Sequence, residues 1–542
     1  MHGKGTIMKT NHISRRDFLR FAGVSGATLF LGNRFTRFGK LLSAHAQMEE
    51  FMPDAEVAIT ASEKYVQVLP GAPTRVWGYE GQLLSGSGVT VTNLPDNNLG
   101  PILRVQKGTK LRFTFNNNLA EDSVVHPHGL RVPQHFDGHP MLAIGPGASH
   151  TDDVTIIDHA GPYWFHPHPH MRTAEQVVMG LAGLFYVTDD EEQLAVPGAG
   201  TGANDIPVII QDRTYDSNNQ ILYQPNNMWG YLGNRILVNG KPNTVFSLEP
   251  RAYRLRLLNG SNARTYKLAW SNGMPMKVIG TDGGLLPAVA TRGYVMLMPG
   301  ERVDVWADFG SLAGKQVILR SLSFTPGGMG GGGMGGGGMG GGGGGMGGGG
   351  CNCGSSLANG AAFNILTVNV GRKASVKPVL GPLPPLSMVY DATNVPNYDS
   401  PRPFTLEMQH MVWTISGRVF DMEACMTMDS CPMDEMVNLG ETMAWEWINN
   451  SPIPHPMHIH NVQFQVLQRT PPATSSYATV NQGFVDSGWK DTVLVWPGER
   501  VKIAMMFEPY AGMYMYHCHI LEHEDMTMMR NYMIMGDMMP DM

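Results

Sequence analysis

The tripeptide His517-Cys518-His519 constrains this chain more than any other stretch of its sequence. Successive side chains of a β-strand point to opposite faces, so in a strand the two imidazoles lie on one face and the thiol lies on the other. Cys518, followed by His523 and Met528, forms a soft ligand set that is typical of electron-transfer copper, whereas two neighbouring imidazoles suit a nitrogen-only site. The sequence therefore predicts two metal sites joined by one short piece of strand.

Three further clusters carry histidines at alternate positions, namely His126-Pro127-His128, His166-Pro167-His168-Pro169-His170 and His455-Pro456-Met457-His458-Ile459-His460. On a strand, a His-x-His pair places both imidazoles on the same face, as shared metal ligation requires. A single pair is weak support, because surface pairs and adventitious zinc sites are common. Ten of the nineteen histidines, however, fall in four short clusters, and we interpret these clusters as the further ligands that the two metal sites need.

These motifs resemble those of the multicopper oxidases, in particular the three-domain bacterial copper-efflux oxidases and spore-coat laccases. The resemblance covers nearly all of residues 50–542. It implies an all-β fold of three cupredoxin-like Greek-key β-sandwiches, four copper ions per chain and dioxygen as the electron acceptor. The implied ligands are His126 and His458 for the type 2 copper, His128, His166, His168, His460, His517 and His519 for the type 3 pair, and His455, Cys518, His523 and the axial Met528 for the type 1 copper.

Three neighbouring residues complicate this assignment. Met526 and Met529 lie close enough to Met528 to compete for the axial position, and the family's spacing of ten residues after the cysteine favours Met528. His170 is an additional histidine that the family pattern does not use. We interpret it as a structural residue or as a partner of the ligands.

Two acidic residues match the carboxylates that the family holds beside its oxygen-reducing cluster. Asp137 lies nine residues after His128, and Glu524 directly follows His523. Carboxylates in such places can relay protons to bound oxygen, and we assign this role to both residues. The alternative for Asp137 is a turn residue within Phe136-Asp137-Gly138.

Beyond residue 50 the sequence is typical of an all-β protein, because short runs of Val, Ile, Phe, Tyr and Trp alternate with turn residues. The pentapeptide Pro-Gly-Glu-Arg-Val occurs at 299–303 and again at 497–501, which indicates repeated domains. We place the three sandwiches at 50–190, 200–370 and 385–542. The first and third carry all the copper motifs, so the middle domain is predicted to act as a spacer.

The first 46 residues are predicted to be a twin-arginine export signal. Ser14-Arg15-Arg16-Asp17-Phe18-Leu19-Arg20 precedes a mildly apolar stretch, and Ala44-His45-Ala46 offers a small-x-small cleavage site. We therefore expect export by the twin-arginine machinery and a periplasmic location.

Composition argues against several other classes of protein. A net charge of −7 without a basic patch argues against nucleic-acid partners. No uninterrupted apolar run of the sequence is long enough to span a bilayer, so we expect no stable membrane span. We also expect a monomer.

Two methionine-rich segments depart from the family pattern and bear on the substrate. The first is a Gly/Met-rich run at 327–350, which predicts a flexible loop, and the second lies at 422–436. Thioethers are soft ligands that favour Cu(I). The alternative explanation is a linker without a binding role, whose composition has become rich in methionine by drift. The candidate ligands for a substrate Cu(I) ion are Met329, Met334, Met339, Met346, Met422, Met426, Met428, Met433 and Met436.

Four cysteines remain besides Cys518, namely Cys351, Cys353, Cys425 and Cys431. An oxidising compartment permits disulfides, and four cysteines allow three pairings, but the same residues could extend a Cu(I) site. The residues before His455 are Ser451-Pro452-Ile453-Pro454, without the Asp and Met that copper-efflux oxidases place there. Any site for substrate Cu(I) must therefore be built differently here.

We predict an oxidase that couples one-electron oxidation of Cu(I), with Fe(II) as a second candidate, to the four-electron reduction of dioxygen to water, in the service of copper tolerance. The close alternative is a laccase that oxidises phenols. A copper storage protein would not need ordered histidine clusters, and a copper nitrite reductase lacks a type 3 pair. These two hypotheses are therefore weaker.

Overall fold

Alternation of buried and exposed side chains builds many strands of this protein. In Lys110–Asn117, the side chains of Leu111, Phe113 and Phe115 are buried, whereas the residues between them are only partly buried. Because successive side chains point to opposite faces of a sheet, this alternation packs one face against a core. Strands dominate the secondary structure, and the prediction of an all-β protein is confirmed.

The computed structural model describes residues 51–198, 204–327, 357–373 and 378–536. The predicted export signal at 1–46 lies outside these ranges. So do the methionines of the Gly/Met-rich run and the two cysteines that follow it, which are Met329, Met334, Met339, Met346, Cys351 and Cys353. No helix in the described ranges is both long and apolar enough to cross a membrane.

The first sandwich consists of β1 (Ala55–Val66), β2 (Thr74–Gly86), β3 (Val89–Thr92), β4 (Ile102–Gln106), β5 (Lys110–Asn117), β6 (Val125–His126), β7 (Ser149–Thr155), β8 (Gly161–Pro167) and β9 (Gly183–Thr188). Its sheets have the orders β2-β1-β5-β7 and β3-β4-β9-β8-β6. Strands β1 and β5 pair in parallel, as do β4 and β9, so the chain crosses between the sheets in Greek-key fashion. Two short helices, α1 (Thr173–Met179) and α2 (Asp190–Ala195), and a 3-10 helix at Pro140–Leu142 complete this part of the chain.

The middle sandwich consists of β10 (Asp205–Arg213), β11 (Arg235–Val238), β12 (Lys241–Pro242), β13 (Val245–Leu248), β14 (Ala252–Asn259), β15 (Tyr266–Trp270), β16 (Met276–Thr281), β17 (Gly284–Arg292), β18 (Val295–Leu297), β19 (Arg302–Asp308), β20 (Gln316–Ser321) and β21 (Phe363–Val370). Its sheets have the orders β12-β11-β10-β14-β19-β16-β17 and β13-β21-β20-β15-β18. The parallel pairs here are β10 with β14 and β13 with β21.

The third sandwich consists of β22 (Arg402–Gln409), β23 (Val412–Ile415), β24 (Met436–Asn438), β25 (Thr442–Asn449), β26 (His455–Ile459), β27 (Phe464–Thr470), β28 (Thr492–Val495), β29 (Arg500–Met506), β30 (Gly512–Cys518) and β31 (Met529–Met535). Its sheets have the orders β23-β22-β25-β29-β27 and β24-β31-β30-β26-β28. Helix α3 (Leu521–Asp525) links β30 to β31, and 3-10 helices occur at Met428–Ser430, Met433–Glu435, Tyr477–Thr479 and Asn481–Gly483.

Each sandwich encloses its own apolar core. The core of the third contains the fully buried side chains of Trp413, Trp445 and Trp447, and it also contains Cys518 and Met528. Dense apolar packing of this kind excludes water. The predicted type 1 ligands Cys518 and Met528 therefore lie in a dry, closely packed environment.

Candidate metal centres

Strands β26 and β30 are antiparallel neighbours that carry half of the candidate ligands in the third sandwich. His458 lies opposite His517, and Met457 lies opposite Cys518. The rings of His517 and His519 stack with their centroids 5.7 Å apart, whereas Cys518 packs in the apolar core. The structure therefore places the two imidazoles on one side of the chain and the thiol on the other.

Cys518 is surrounded by two histidines, and we call His455, Cys518 and His523 the thiol group. The Sγ atom of Cys518 lies 3.3 Å from Nδ1 of His455 and 3.6 Å from Nδ1 of His523. The second nitrogen of each ring is engaged elsewhere. Nε2 of His455 lies 2.7 Å from Ser451 Oγ, and Nε2 of His523 donates to the Met228 carbonyl at 3.1 Å. Both rings are therefore held with Nδ1 towards the thiol, as a metal shared with the sulfur would require.

The three candidate axial methionines have different surroundings. Met528 is fully buried in the same core as Cys518, and the Cys518 N–H donates to its carbonyl at 3.0 Å. Met529 is buried in a different apolar cluster, as expected for the next residue of an extended chain. Met526 is only partly buried. Of the three, Met528 is therefore the fully buried methionine that shares both a core and a backbone hydrogen bond with Cys518.

Eight further histidines converge on one another, and we call them the histidine group: His126, His128, His166, His168, His458, His460, His517 and His519. In a first subset, Nε2 of His126 lies 3.4 Å from Nε2 of His458. Their Nδ1 atoms donate to the backbone carbonyls of Asp137 and Asp491 at 2.6 and 2.8 Å. A backbone carbonyl on Nδ1 fixes the tautomer and leaves Nε2 free to bind a metal.

A second subset joins the first and third sandwiches through His168, His460 and His517. Nε2 of His517 lies 3.4 Å from Nε2 of His168 and 3.2 Å from Nε2 of His460. Nδ1 of His460 donates to Oδ2 of Asp137 at 2.9 Å. Three ring nitrogens that face one another at such short distances form a ready nitrogen-donor site.

The third subset contains His128, His166 and His519, whose ring centroids lie 4.9 to 5.6 Å apart. Nδ1 of His128, Nε2 of His166 and both nitrogens of His519 are buried and find no hydrogen-bond partner among the described residues. An unpaired buried nitrogen costs free energy, and a metal ion would relieve that cost. Because Nε2 of His128 is engaged by Asp491 at 3.0 Å, this ring can offer only Nδ1 to a metal.

The protonation of both groups favours metal binding. Burial lowers the pKa of every histidine in the two groups, to about 3 for His166 and His523 and to about 4 for His517. Neutral imidazole is the form that binds metals. Burial also raises the pKa of the Cys518 thiol well above its usual value, so metal binding must release that proton. Imidazole, thiolate and thioether together are the ligands that copper prefers.

The two predicted proton-relay residues both touch the histidine group. Asp137 contacts His460 and His126 as described above, and burial raises the pKa of its carboxyl well above the usual range. The oxygens of Glu524, in α3, lie 3.4 Å from Nε2 of His168 and 3.2 Å from Nδ1 of His517. Burial and the nearby Asp525 raise the pKa of Glu524. Carboxyl groups with raised pKa can hold a proton near neutral pH.

Asp491 is the site residue that the sequence analysis missed. Its Oδ1 accepts from Nε2 of His128, and its backbone carbonyl accepts from Nδ1 of His458. Arg302, at the start of β19 in the middle sandwich, donates to both carboxylate oxygens at 2.7 and 2.6 Å. Arg302 stands in the repeated pentapeptide Pro-Gly-Glu-Arg-Val, but the repeat does not link it or Asp491 to the histidines, because Arg500 of the second copy pairs with Glu446 instead. The middle sandwich is therefore more than a spacer, which corrects the prediction for that domain.

His170 belongs to neither group in the described part of the chain. Its ring lies 5.3 Å from that of Phe420, which agrees with our interpretation of a structural residue. Phe420 lies two residues before the 422–436 segment. Its N–H donates to the carbonyl of Thr527, the residue before Met528, at 3.1 Å, so the segment begins near the thiol group.

The second methionine-rich segment is closed by a disulfide between Cys425 and Cys431. This answers, for these two residues, the question of pairing that the sequence left open. The candidate methionines of the segment differ in exposure. Met422 and Met436 pack against apolar clusters, whereas Met426, Met428 and Met433 are 40, 50 and 87% exposed. Exposed thioethers are unusual for a residue that normally fills gaps in a core.

Comparison with known proteins identifies the family of this chain. Two family models, each described as multicopper oxidase, match residues 60–192 and 396–537. The multicopper oxidase mco of Staphylococcus haemolyticus is 31% identical over 440 residues, which cover 80% of this chain and 81% of that protein. A laccase of Bacillus stratosphericus is 29% identical over 517 residues, covering 84% and 90%. The crystal structure of the McoA multicopper oxidase of Aquifex aeolicus matches with a TM-score of 0.73 and 33% identity, covering 89% and 97%.

The matched family models lie in the first and third sandwiches, where the histidine group and the thiol group are found. The structural match extends over the middle sandwich as well and confirms the prediction of cupredoxin-like domains. Proteins of this kind use copper, dioxygen and a reducing substrate. On these grounds the chain belongs to the multicopper oxidases and is an oxygen-dependent copper oxidoreductase.

Proposed function

We propose that this multicopper oxidase oxidises Cu(I), with Fe(II) as a second substrate, and serves copper tolerance. The observation that carries this choice of substrate is the 422–436 segment, where three exposed methionines surround a disulfide-closed turn. Thioethers prefer Cu(I) to harder cations. Each Cu(I) gives one electron, and four electrons with four protons convert one dioxygen into two waters.

The proposed ligands combine the family pattern with the distances within the two groups. The thiol group with Met528 holds the type 1 copper. His126 and His458 hold the type 2 copper, whereas the subsets His168/His460/His517 and His128/His166/His519 each hold one copper of the type 3 pair. This arrangement gives four copper ions per chain. When bound, copper supplies one-electron redox chemistry, because thiolate and imidazole accommodate both of its oxidation states.

Residues of the protein provide an electron path between these centres and a supply of protons to them. The peptide that links Cys518 to His517 and His519 is a covalent path between the thiol group and the histidine group. Asp137 and Glu524 hold protons beside the histidine group, and we propose that they deliver them to the oxygen being reduced. The apolar core around Cys518 keeps water away from the thiol.

A second observation supports Cu(I) as the substrate. The Gly/Met-rich run begins at Gly327, and a Cβ at Gly327 would lie 3.1 Å from the Pro452 carbonyl and 2.3 Å from Pro497 Cγ. Pro452 follows Ser451, whose hydroxyl contacts His455 of the thiol group. The described end of the run therefore lies one residue from a partner of the proposed type 1 site. A linker of drifted composition stays the alternative.

Oxidation of phenols is the second candidate function. A relative that is 29% identical over most of its length is named laccase, and a type 1 site can accept electrons from any donor that reaches it. Weak turnover of phenols is therefore expected even when a metal ion is the physiological substrate.

We also propose the cellular context that the sequence predicted. Residues 1–46 act as a twin-arginine signal, the mature enzyme works in the periplasm as a monomer, and the three domains span 50–190, 200–370 and 385–542. The strands of the three sandwiches fall within these ranges.

The test is a comparison of kcat/KM for Cu(I), Fe(II) and a simple phenol, measured as oxygen uptake by the copper-loaded enzyme. The proposal expects the highest value for Cu(I). A value for Cu(I) below that for the phenol would contradict the proposal and favour the laccase alternative.

A further inference from the structure

A turn of the middle sandwich covers the proposed type 1 site. The side chain of His523 is fully buried, and its Nε2 donates to the Met228 carbonyl at 3.1 Å. The ring of Trp413 lies against that of His523, with the centroids 4.4 Å apart, and its Nε1 donates to the Asn227 carbonyl at 3.1 Å. Two consecutive carbonyls of the turn Asn226–Gly230 therefore bind the thiol group and the tryptophan beside it.

This turn has a fixed shape. The Asn226 side-chain oxygen accepts the N–H groups of Met228 and Trp229 at 2.8 and 3.1 Å, and Asn226 and Gly230 exchange two backbone hydrogen bonds. Gly230 has a φ of +72°, and a Cβ there would lie 2.5 Å from Oε2 of Glu522 in α3. Only glycine fits this position without strain. The turn is consequently seated against the helix that carries His523.

The turn is the outward-facing partner of the thiol group. His455, Cys518 and Met528 are fully buried, so a reductant in solution cannot touch them. His523 is also buried, but its Nε2 contacts the turn, where Asn226 and Asn227 are exposed and Met228 is partly buried. Met228 therefore links the buried His523 ring by a hydrogen bond to a turn that reaches solvent.

We propose that Met228 is the residue at which a soft metal reductant docks, and that the electron it gives up passes through the Met228–His523 hydrogen bond to the copper which the thiol group would hold. This inference rests on the proposed function and names its substrate contact. A thioether binds Cu(I) well, and the Met228 carbonyl is already hydrogen-bonded to the His523 ring. The docked Cu(I) loses one electron and leaves as Cu(II), and dioxygen is the final acceptor. The turn also keeps a bulky phenol from stacking directly on the His523 ring, so it sets specificity.

The test replaces Met228 with leucine, which removes the thioether and keeps the side-chain size and the backbone carbonyl. The ratio of kcat/KM for Cu(I) to that for a phenol should fall by roughly tenfold, the loss expected for one specific contact. The matched control is Met443→Leu, because Met443 is a partly buried methionine that packs on the same core from β25. The control should keep the wild-type ratio. An unchanged ratio in Met228→Leu would overturn the inference.

A second variant tests the covering role of the turn. Asn226→Ala removes the acceptor for the N–H groups of Met228 and Trp229, so the turn loosens and His523 becomes accessible. Phenol kcat/KM should then rise, and a fall or no change would contradict the covering role. Failure of the wild-type enzyme to oxidise Cu(I) would overturn the proposed function itself. Normal Cu(I) oxidation by both the wild type and Met228→Leu would overturn only the role of Met228.

Discussion

At the scale of single residues, Asp491 shows how one residue can orient two histidines, one through its side chain and the other through its backbone. Its carboxylate engages Nε2 of His128, and its backbone carbonyl engages Nδ1 of His458. Arg302 holds the carboxylate in place with a two-pronged ion pair, and all these groups are buried. Partners of this kind decide which ring nitrogen faces the metal.

We predict that Asp491→Asn weakens copper binding by the histidine group. An amide cannot pair equally with Arg302 and with Nε2 of His128, so the His128 ring loses its fixed orientation, whereas the backbone carbonyl that holds His458 is kept. Copper affinity should fall by about 10- to 100-fold, the usual cost of losing such a partner. The measurement is copper content per chain after dialysis against a weak chelator, together with the thermal melting temperature.

Asp205→Asn is the matched control for Asp491→Asn. Asp205 forms an equally buried ion pair with Arg256 in the middle sandwich, at 2.7 and 2.8 Å. Breaking a buried pair costs roughly 3–5 kcal/mol of stability in either variant, so both should melt at a lower temperature. Only Asp491→Asn should lose copper. If the two variants retain copper equally well, Asp491 is merely structural.

Residues such as Asp491 lie beyond what one sequence reveals. The His-x-His pairs and Cys518 could be found because the two-residue period of a strand relates neighbours in the chain. Asp491, Arg302 and Met228 act on histidines that lie far from them in sequence. Such contacts depend on how the sandwiches pack, and no local pattern encodes that packing.

At the scale of elements, the two methionine-rich segments extend an otherwise ordinary set of strands. Both segments lie in connections between strands, one after β20 and the other between β23 and β24, so they leave the strand order of the sheets unchanged. The disulfide between Cys425 and Cys431 closes the second segment, whereas alternation, turn residues and motif spacing had left that pairing open. Sequence patterns thus predicted the kind of element in each region but not the links within loops.

We predict that the Gly/Met-rich run contributes to preference for Cu(I). Deletion of residues 327–350 should lower the ratio of kcat/KM for Cu(I) to that for a phenol severalfold, because four soft ligands are lost. Replacement of Met329, Met334, Met339 and Met346 with serine keeps the length of the run and should have the same effect. A ratio that stays constant or rises in both variants would mean that the run is only a linker.

At the scale of the whole molecule, all three sandwiches contribute to the copper sites. The first and third sandwiches supply the proposed ligands, and histidines of one contact histidines of the other within the histidine group. The middle sandwich supplies Arg302 to the histidine group and the turn around Met228 to the thiol group. Without the other sandwiches, buried polar groups such as the Asp491 carboxylate and Nε2 of His523 would lose their partners, which would lower the free energy of unfolding. The catalytic arrangement is therefore a property of the assembled chain.

The central claim is that the copper which the thiol group would hold collects single electrons, and that the peptide from Cys518 to His517 and His519 is their path to the copper which the histidine group would hold. The most direct measurement is oxygen uptake by Cys518→Ser, with its copper content and blue absorption compared with those of the wild type. The variant should stay folded, lack the blue absorption, bind one copper ion fewer per chain and consume no oxygen with Cu(I), Fe(II) or a phenol. Oxygen reduction that persists in Cys518→Ser with any of these reductants would contradict the account.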